Sequence, residues 1–206
     1  MFLCLSLLLL IRFFVAMSHL WFQRYLLSSP STVADLIGIL RAVDVREVAD
    51  LLDPSKEEIL RLNSTPEQFQ RAQRARAAVL FEQLRSMTFN ALVLLLWTER
   101  VRLRLQMPGM PKDEMGLRHA DEIAEEGPVV RLFGFAGLLR LTLWILLGAM
   151  SMRPLSRLGR LQRLGRIDGL DTYIRVAGAA ALLSTRYDSG GTSLLAKILV
   201  GRSENA

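Results

Sequence analysis

An all-helical integral membrane protein is the fold class this sequence predicts, on three observations. The chain of 206 residues is 51% hydrophobic yet 22% charged, a mixture that implies two segregated surfaces. The segregation is visible along the chain, where apolar runs at residues 1–27, 87–97, 129–152 and 176–200 alternate with charged stretches. Those stretches repeat apolar residues at helical spacing and carry helix-start signals, Ser, Thr or Asp followed three residues on by Glu or Gln. The expected architecture has two membrane-crossing helices, one long amphipathic helix of about 40 residues and a small extramembrane helical cap. A third crossing, over residues 87–105, is the alternative. The chain divides accordingly into an N-terminal anchor (1–27), an extramembrane helical region (31–127) and a C-terminal membrane unit (128–206).

The first element is the anchor. Phe2 to Phe22 spans 21 residues with Arg12 as its one formal charge. Thirteen Leu, Ile, Phe and Val residues contribute about −4 to −8 kcal/mol to insertion against about +3 for a central arginine, so insertion wins. Trp21 and Tyr25 then fall at the interface. Two other readings compete: a signal peptide cleaved near Ala16-Met17-Ser18, and a true start at Met17. No acidic residue precedes Asp35 and residues 28–32 are Ser-rich, which also suits a mitochondrial import signal.

The cap follows. Asp44 with Glu47, and Ser55 with Glu58, have capping-box spacing, and Val33, Leu36, Leu40, Val48, Leu51 and Ile59 are among its expected buried residues. The run Asp44 to Gln70 resembles the short helical repeats of magnesium-transporter and flagellar-switch N-domains, without a diagnostic motif, and nothing about function follows from it. Thr65-Pro66-Glu67-Gln68 is a strong start for the long helix, expected over residues 66–106, ahead of Pro108-Gly109-Met110-Pro111. Within it Met87 to Trp97 is apolar on every side. Eleven residues are too few to cross a bilayer, so this part is expected to be buried against other helices, of this chain or of a partner subunit, or to dip into the bilayer from one side. Six acids at Asp113, Glu114, Asp121, Glu122, Glu125 and Glu126 then read as a solvated face.

The C-terminal unit opens with the second expected span, Leu132 to Met150, whose one charge is Arg140. Ten Leu, Ile and Phe residues give about −3 to −6 kcal/mol there, a thin margin over the arginine. Gly134, Gly137 and Gly148 permit close helix approach, though not at GxxxG spacing. Arg153, Arg157, Arg160, Arg163 and Arg166 come next, with leucines three residues apart between them. Arginine at every third position resembles the S4 segment of voltage-gated channels, but Gly159, Gln162 and Gly165 stand where that family is apolar. An interfacial helix with its arginines among anionic phosphates is the preferred reading. Five arginines after the span and Glu125 and Glu126 before it place its C-terminal side in the cytosol or matrix. Short apolar helices at 173–187 and 194–200 complete the unit. The loop Asp188-Ser-Gly-Gly-Thr-Ser193 lacks the lysine and glycine spacing of a Walker motif and reads as a turn.

Net charge is +6, and its excess lies at the C-terminal end: residues 35–127 hold 13 basic and 16 acidic side chains, residues 128–206 hold 11 and 4. Beside apolar helices that excess suits anionic phospholipid rather than nucleic acid, whose aromatic platforms are missing. The single Cys4 excludes an intramolecular disulfide, and with His19 and His119 it leaves too few soft ligands for structural zinc. No catalytic residue, cofactor or metal is expected. The function expected is a non-catalytic accessory subunit of a multi-subunit complex in an energy-transducing membrane, mitochondrial inner or bacterial inner, contacting cardiolipin-type lipid and neighbouring subunits. A small transporter or channel component using the intramembrane Arg12 and Arg140 is the first alternative. A peripheral lipid-binding or scaffolding helical protein is the second.

Overall fold

The computed structural model describes residues 32–106, 113–146, 169–186 and 192–201, and for Arg140, 143–146 and 192–194 the backbone alone. The anchor expected at 2–22 and the arginine run 153–166 lie outside the described residues. Seven helices and no strand occur among those described: α1 (Val33–Ile39), α2 (Val45–Leu52), α3 (Pro54–Leu62), α4 (Pro66–Leu105), α5 (Glu114–Leu146), α6 (Gly169–Thr185) and α7 (Thr192–Val200). The all-α expectation is met.

Local chemistry sets the helix starts. Thr65 accepts the Gln68 N–H while the Gln68 side chain accepts the Thr65 N–H, the expected box, and Pro66 follows at the first helical position. Asp44 caps α2 by accepting from the Glu47 N–H at 2.9 Å. The expected Ser55 cap is corrected: α3 starts two residues earlier, because Asp53 accepts the Ser55 N–H at 2.8 Å and Pro54 supplies the first turn. An unanticipated box, Thr32 with Asp35, opens α1. At the other end of the described chain, Gly201 takes φ 90° to close α7, its N–H bonded to the Lys197 carbonyl.

Helices α4, α5 and α6 form an antiparallel bundle. Arg102 of α4 faces Asp121 of α5, and the side chains of Leu95, Thr88 and Leu84 lie over Gly127, Gly134 and Gly137 in turn, so the two helices run in opposite directions. Phe133 packs on Gly169, Glu126 pairs with Arg175 and Asp113 with Arg186, so α6 is antiparallel to α5 and parallel to α4.

The seam has a seven-residue rhythm. Ala77, Leu80, Leu84, Met87, Ala91, Leu94, Thr98 and Val101 on α4 are buried at alternating steps of three and four. On α5 the same steps pick out Gly116, Ala120, Ile123, Gly127, Val130, Gly134, Gly137 and Leu141. This is the spacing of a left-handed coiled coil, here with small residues on one side so that the helices approach closely. At Gly134 a β-carbon would run into the Thr88 side chain and stand 3.3 Å from the Leu84 carbonyl oxygen. Burying Leu80, Leu84, Met87 and Leu94 stabilises the bundle by roughly 1.5–3 kcal/mol each.

From Met87 to Thr98 no residue of α4 is exposed, as the sequence led us to expect. The other helices supply the cover: Val43, Val48, Tyr173, Val176, Ala180, Leu183, Leu195 and Leu199 belong to the same core. The acidic stretch and the apolar segment beyond it, which the sequence divides at residue 127, lie on one continuous helix that passes through Pro128. Among the described residues, α4 is the one helix long and apolar enough to cross a membrane.

Candidate functional site

Several polar groups of the described residues hold the fold together. A cleft of about 490 Å³ between α2, α3 and α4 is lined by Asp44, Arg46, Glu47, Asp50, Leu51, Lys56 and Arg76. Its side chains are largely engaged with one another: Lys56 pairs with Asp50 at 2.6 Å, Gln83 donates to Glu47 at 2.7 Å and Arg76 donates to the Leu51 carbonyl at 2.8 Å. Among the described residues no group of three or more His, Cys, Asp or Glu is placed to hold a metal ion.

Of the six acids expected on a solvated face, Glu114, Asp121 and Glu125 are exposed, and three of the six also tie the bundle together. Asp113 bonds Arg186, Asp121 lies 3.3 Å from Arg102 and Glu126 accepts from Arg175 at 3.0 Å. The Gly116 N–H, and then the Arg186 guanidinium, hold the Asp113 carboxyl below its ordinary value against the opposing effect of desolvation. Sequence reasoning missed these pairs because two of the arginines lie 49 and 73 residues from their partners. Helix register alone carries that signal.

A second feature the sequence left unread is the polar node at Asn90. Its amide donates to the Arg41 carbonyl at 2.7 Å and to the Tyr173 hydroxyl at 3.1 Å, while its oxygen accepts the Arg41 N–H at 2.9 Å. Asn90 and Tyr173 are wholly buried. The connection between α1 and α2 is thereby fixed to both α4 and α6, and the Arg41 guanidinium lies over the Phe89 ring at 4.3 Å.

What the fold leaves unused is a surface. On α5, Leu132, Phe135 and Leu139 are 69%, 57% and 52% exposed, although each is large and apolar. They lie on one stripe with Pro128 and Thr142, at steps of four, three, four and three, all exposed. Gly127, Gly134 and Gly137 turn toward α4 and Phe133 and Glu126 toward α6, so the stripe is the remaining side of the helix. On α6, Ile174, Gly178 and Leu182 form a shorter exposed row.

The expected site residues distribute as follows. Arg140 is on α5, beside this stripe in sequence, and its side chain is outside the description. Arg12, Arg153, Arg157, Arg160, Arg163 and Arg166 lie outside the described residues. No protein-family model, curated protein or solved structure matches the chain.

Proposed function

We propose that this protein is a non-catalytic accessory subunit of a membrane complex, held at the bilayer by Phe2 to Phe22 and by the segment 132–150. Its partners in this reading are neighbouring subunits and anionic phospholipid, the latter met by Arg153, Arg157, Arg160, Arg163 and Arg166. An energy-transducing membrane rich in cardiolipin-type lipid suits that arginine run.

The observation that carries the reading is the bare stripe on α5. Three large apolar side chains more than half exposed on one helix face form a patch that a water-soluble monomer would be expected to cover. The stripe also falls within the segment whose composition favours hydrocarbon, and five arginines follow it in the sequence.

Purification of the full chain from its native membrane in mild detergent, followed by identification of what co-migrates, tests the subunit role. Stoichiometric membrane proteins are the expected result. A chain released from membranes by alkaline carbonate and migrating alone overturns it. Replacing the five arginines with glutamine is expected to weaken flotation with cardiolipin vesicles and to leave flotation with neutral vesicles less affected.

A further inference from the structure

We infer that α2 is a releasable clasp, because Gln83 of α4 stands inside its N-terminal capping box and the box can close without it. Asp44 and Glu47 have the spacing of an ordinary box, in which each side chain takes the other residue's N–H. Both halves are formed at α1, between Thr32 and Asp35, and at α4, between Thr65 and Gln68. At α2 the Asp44 carboxylate accepts the Glu47 N–H at 2.9 Å, but the returning half comes from another helix. The Asp44 N–H donates to the Gln83 side-chain oxygen at 3.1 Å, and the Gln83 amide nitrogen donates to the Glu47 carboxylate at 2.7 Å. Gln83 occupies the position that Glu47 holds in a self-closed box, and gives Glu47 a substitute partner.

The same side of α4 holds the rest of the cap. Arg76, Gln83 and Asn90 recur every seven residues, about 10 Å apart along one face. Arg76 donates to the Leu51 carbonyl at 2.8 Å in the last turn of α2, Gln83 meets the first turn, and Asn90 pairs with both backbone groups of Arg41. Helix α2, about 12 Å long, therefore runs antiparallel to α4 with each end capped by a side chain of α4. Two arrangements of the box satisfy the same groups of α2. Docked, Asp44 and Glu47 close their ring through Gln83; lifted, Glu47 returns to the Asp44 N–H and the half-buried Gln83 turns to water. Lifting also parts Arg41 from Asn90 and the Val43 N–H from the Ile198 carbonyl, which uncovers the buried Asn90 and Tyr173 and leaves the seam between α4 and α5 in place. Burial of Val43, Val45 and Val48 keeps the docked arrangement the populated one. The cap is a lid over the Asn90 and Tyr173 pair, and nothing in its clasp depends on how the chain meets a membrane.

Hydrogen exchange of the full chain tests this, read at the Arg41 and Val43 amides, whose partners Asn90 and Ile198 lie outside the cap and which every lifting frees. Gln83→Ala removes two bonds from the docked arrangement and none from the lifted one, so both amides are expected to exchange about tenfold faster. Glu47→Ala removes one bond from each arrangement and is expected to change the same rates by less than about threefold. Amides along α5 and α6 keep their wild-type rates in both variants. Equal acceleration by the two variants overturns the clasp, because a cap that opens by unfolding draws nothing from Glu47 once open. Unchanged rates in Gln83→Ala also overturn it. So does acceleration that extends through α5 and α6, which would make Gln83 a support of the whole bundle.

Discussion

Asn90 shows how much of this core depends on one side chain. Its amide pairs with both backbone groups of Arg41 and with the Tyr173 hydroxyl, so it acts as a short strand partner for a connection that has no strand. Asn90→Ala leaves these groups without their partner in a buried setting, and unfolding in mild detergent is expected to show a loss of about 2–3 kcal/mol. Thr98 is the opposite case. Its hydroxyl is fully buried with no hydrogen-bond partner among the described residues. The near-isosteric Thr98→Val should leave stability unchanged or raise it by up to about 1 kcal/mol in the same titration. Nothing in the sequence distinguished these two residues. One is a polar residue within the apolar run and the other directly follows it, and only the arrival of Arg41 and Tyr173 beside Asn90 separates their roles.

The helices themselves were legible in proportion to how local their signals are. Thr65-Pro66 and Asp44 announce their starts within three residues, and the chain obeys. The Ser55 cap went astray because Asp53 and Pro54 offer a better start immediately before it. The division expected near residue 127 rested on composition, while the heptad seam runs from Gly116 to Leu141 without heeding it. The glycines of α5 permit close approach on composition alone, whereas their heptad rhythm shows only against α4. Two of the glycines give a paired test. Gly134→Ala forces a β-carbon against Thr88 and the Leu84 carbonyl and should destabilise the bundle by about 1–3 kcal/mol. Gly178→Ala meets nothing within 4 Å on an exposed helix face and should stabilise it by about 1 kcal/mol. Both are read from thermal or chemical unfolding of the full chain.

As a whole, the molecule joins a charged end, where α5 is tied to α4 and α6 by ion pairs, to an end with a bare apolar face. The all-helical class could be read from apolar periodicity, and the burial of Met87 to Trp97 from a run apolar on every side yet too short to span. The cross-helix pairs and the side of α5 left uncovered could not, because they depend on register between segments far apart in sequence. The charged end carries an acid response whose sign follows from Asp113. Its folded carboxyl titrates below the unfolded value of about 3.9, so its contribution is complete above that value and fades as pH falls through the lower, folded value. Protection from hydrogen exchange at the C-terminal end of α6, taken relative to the intrinsic rate at each pH, should therefore fall on acidification below about pH 4, and Asp113→Asn should lower that protection already at neutral pH. Between the two ends stands Pro128. It brings no N–H to the Ala124 carbonyl, so the ladder of α5 is one rung short where its ionic half gives way to its greasy half. The helix runs on through that gap because its neighbours grip it on both sides: Glu126 is clasped to Arg175 before it, and Gly134 and Gly137 lie against Thr88 and Leu84 beyond it, so bundle packing does there what a backbone hydrogen bond does elsewhere.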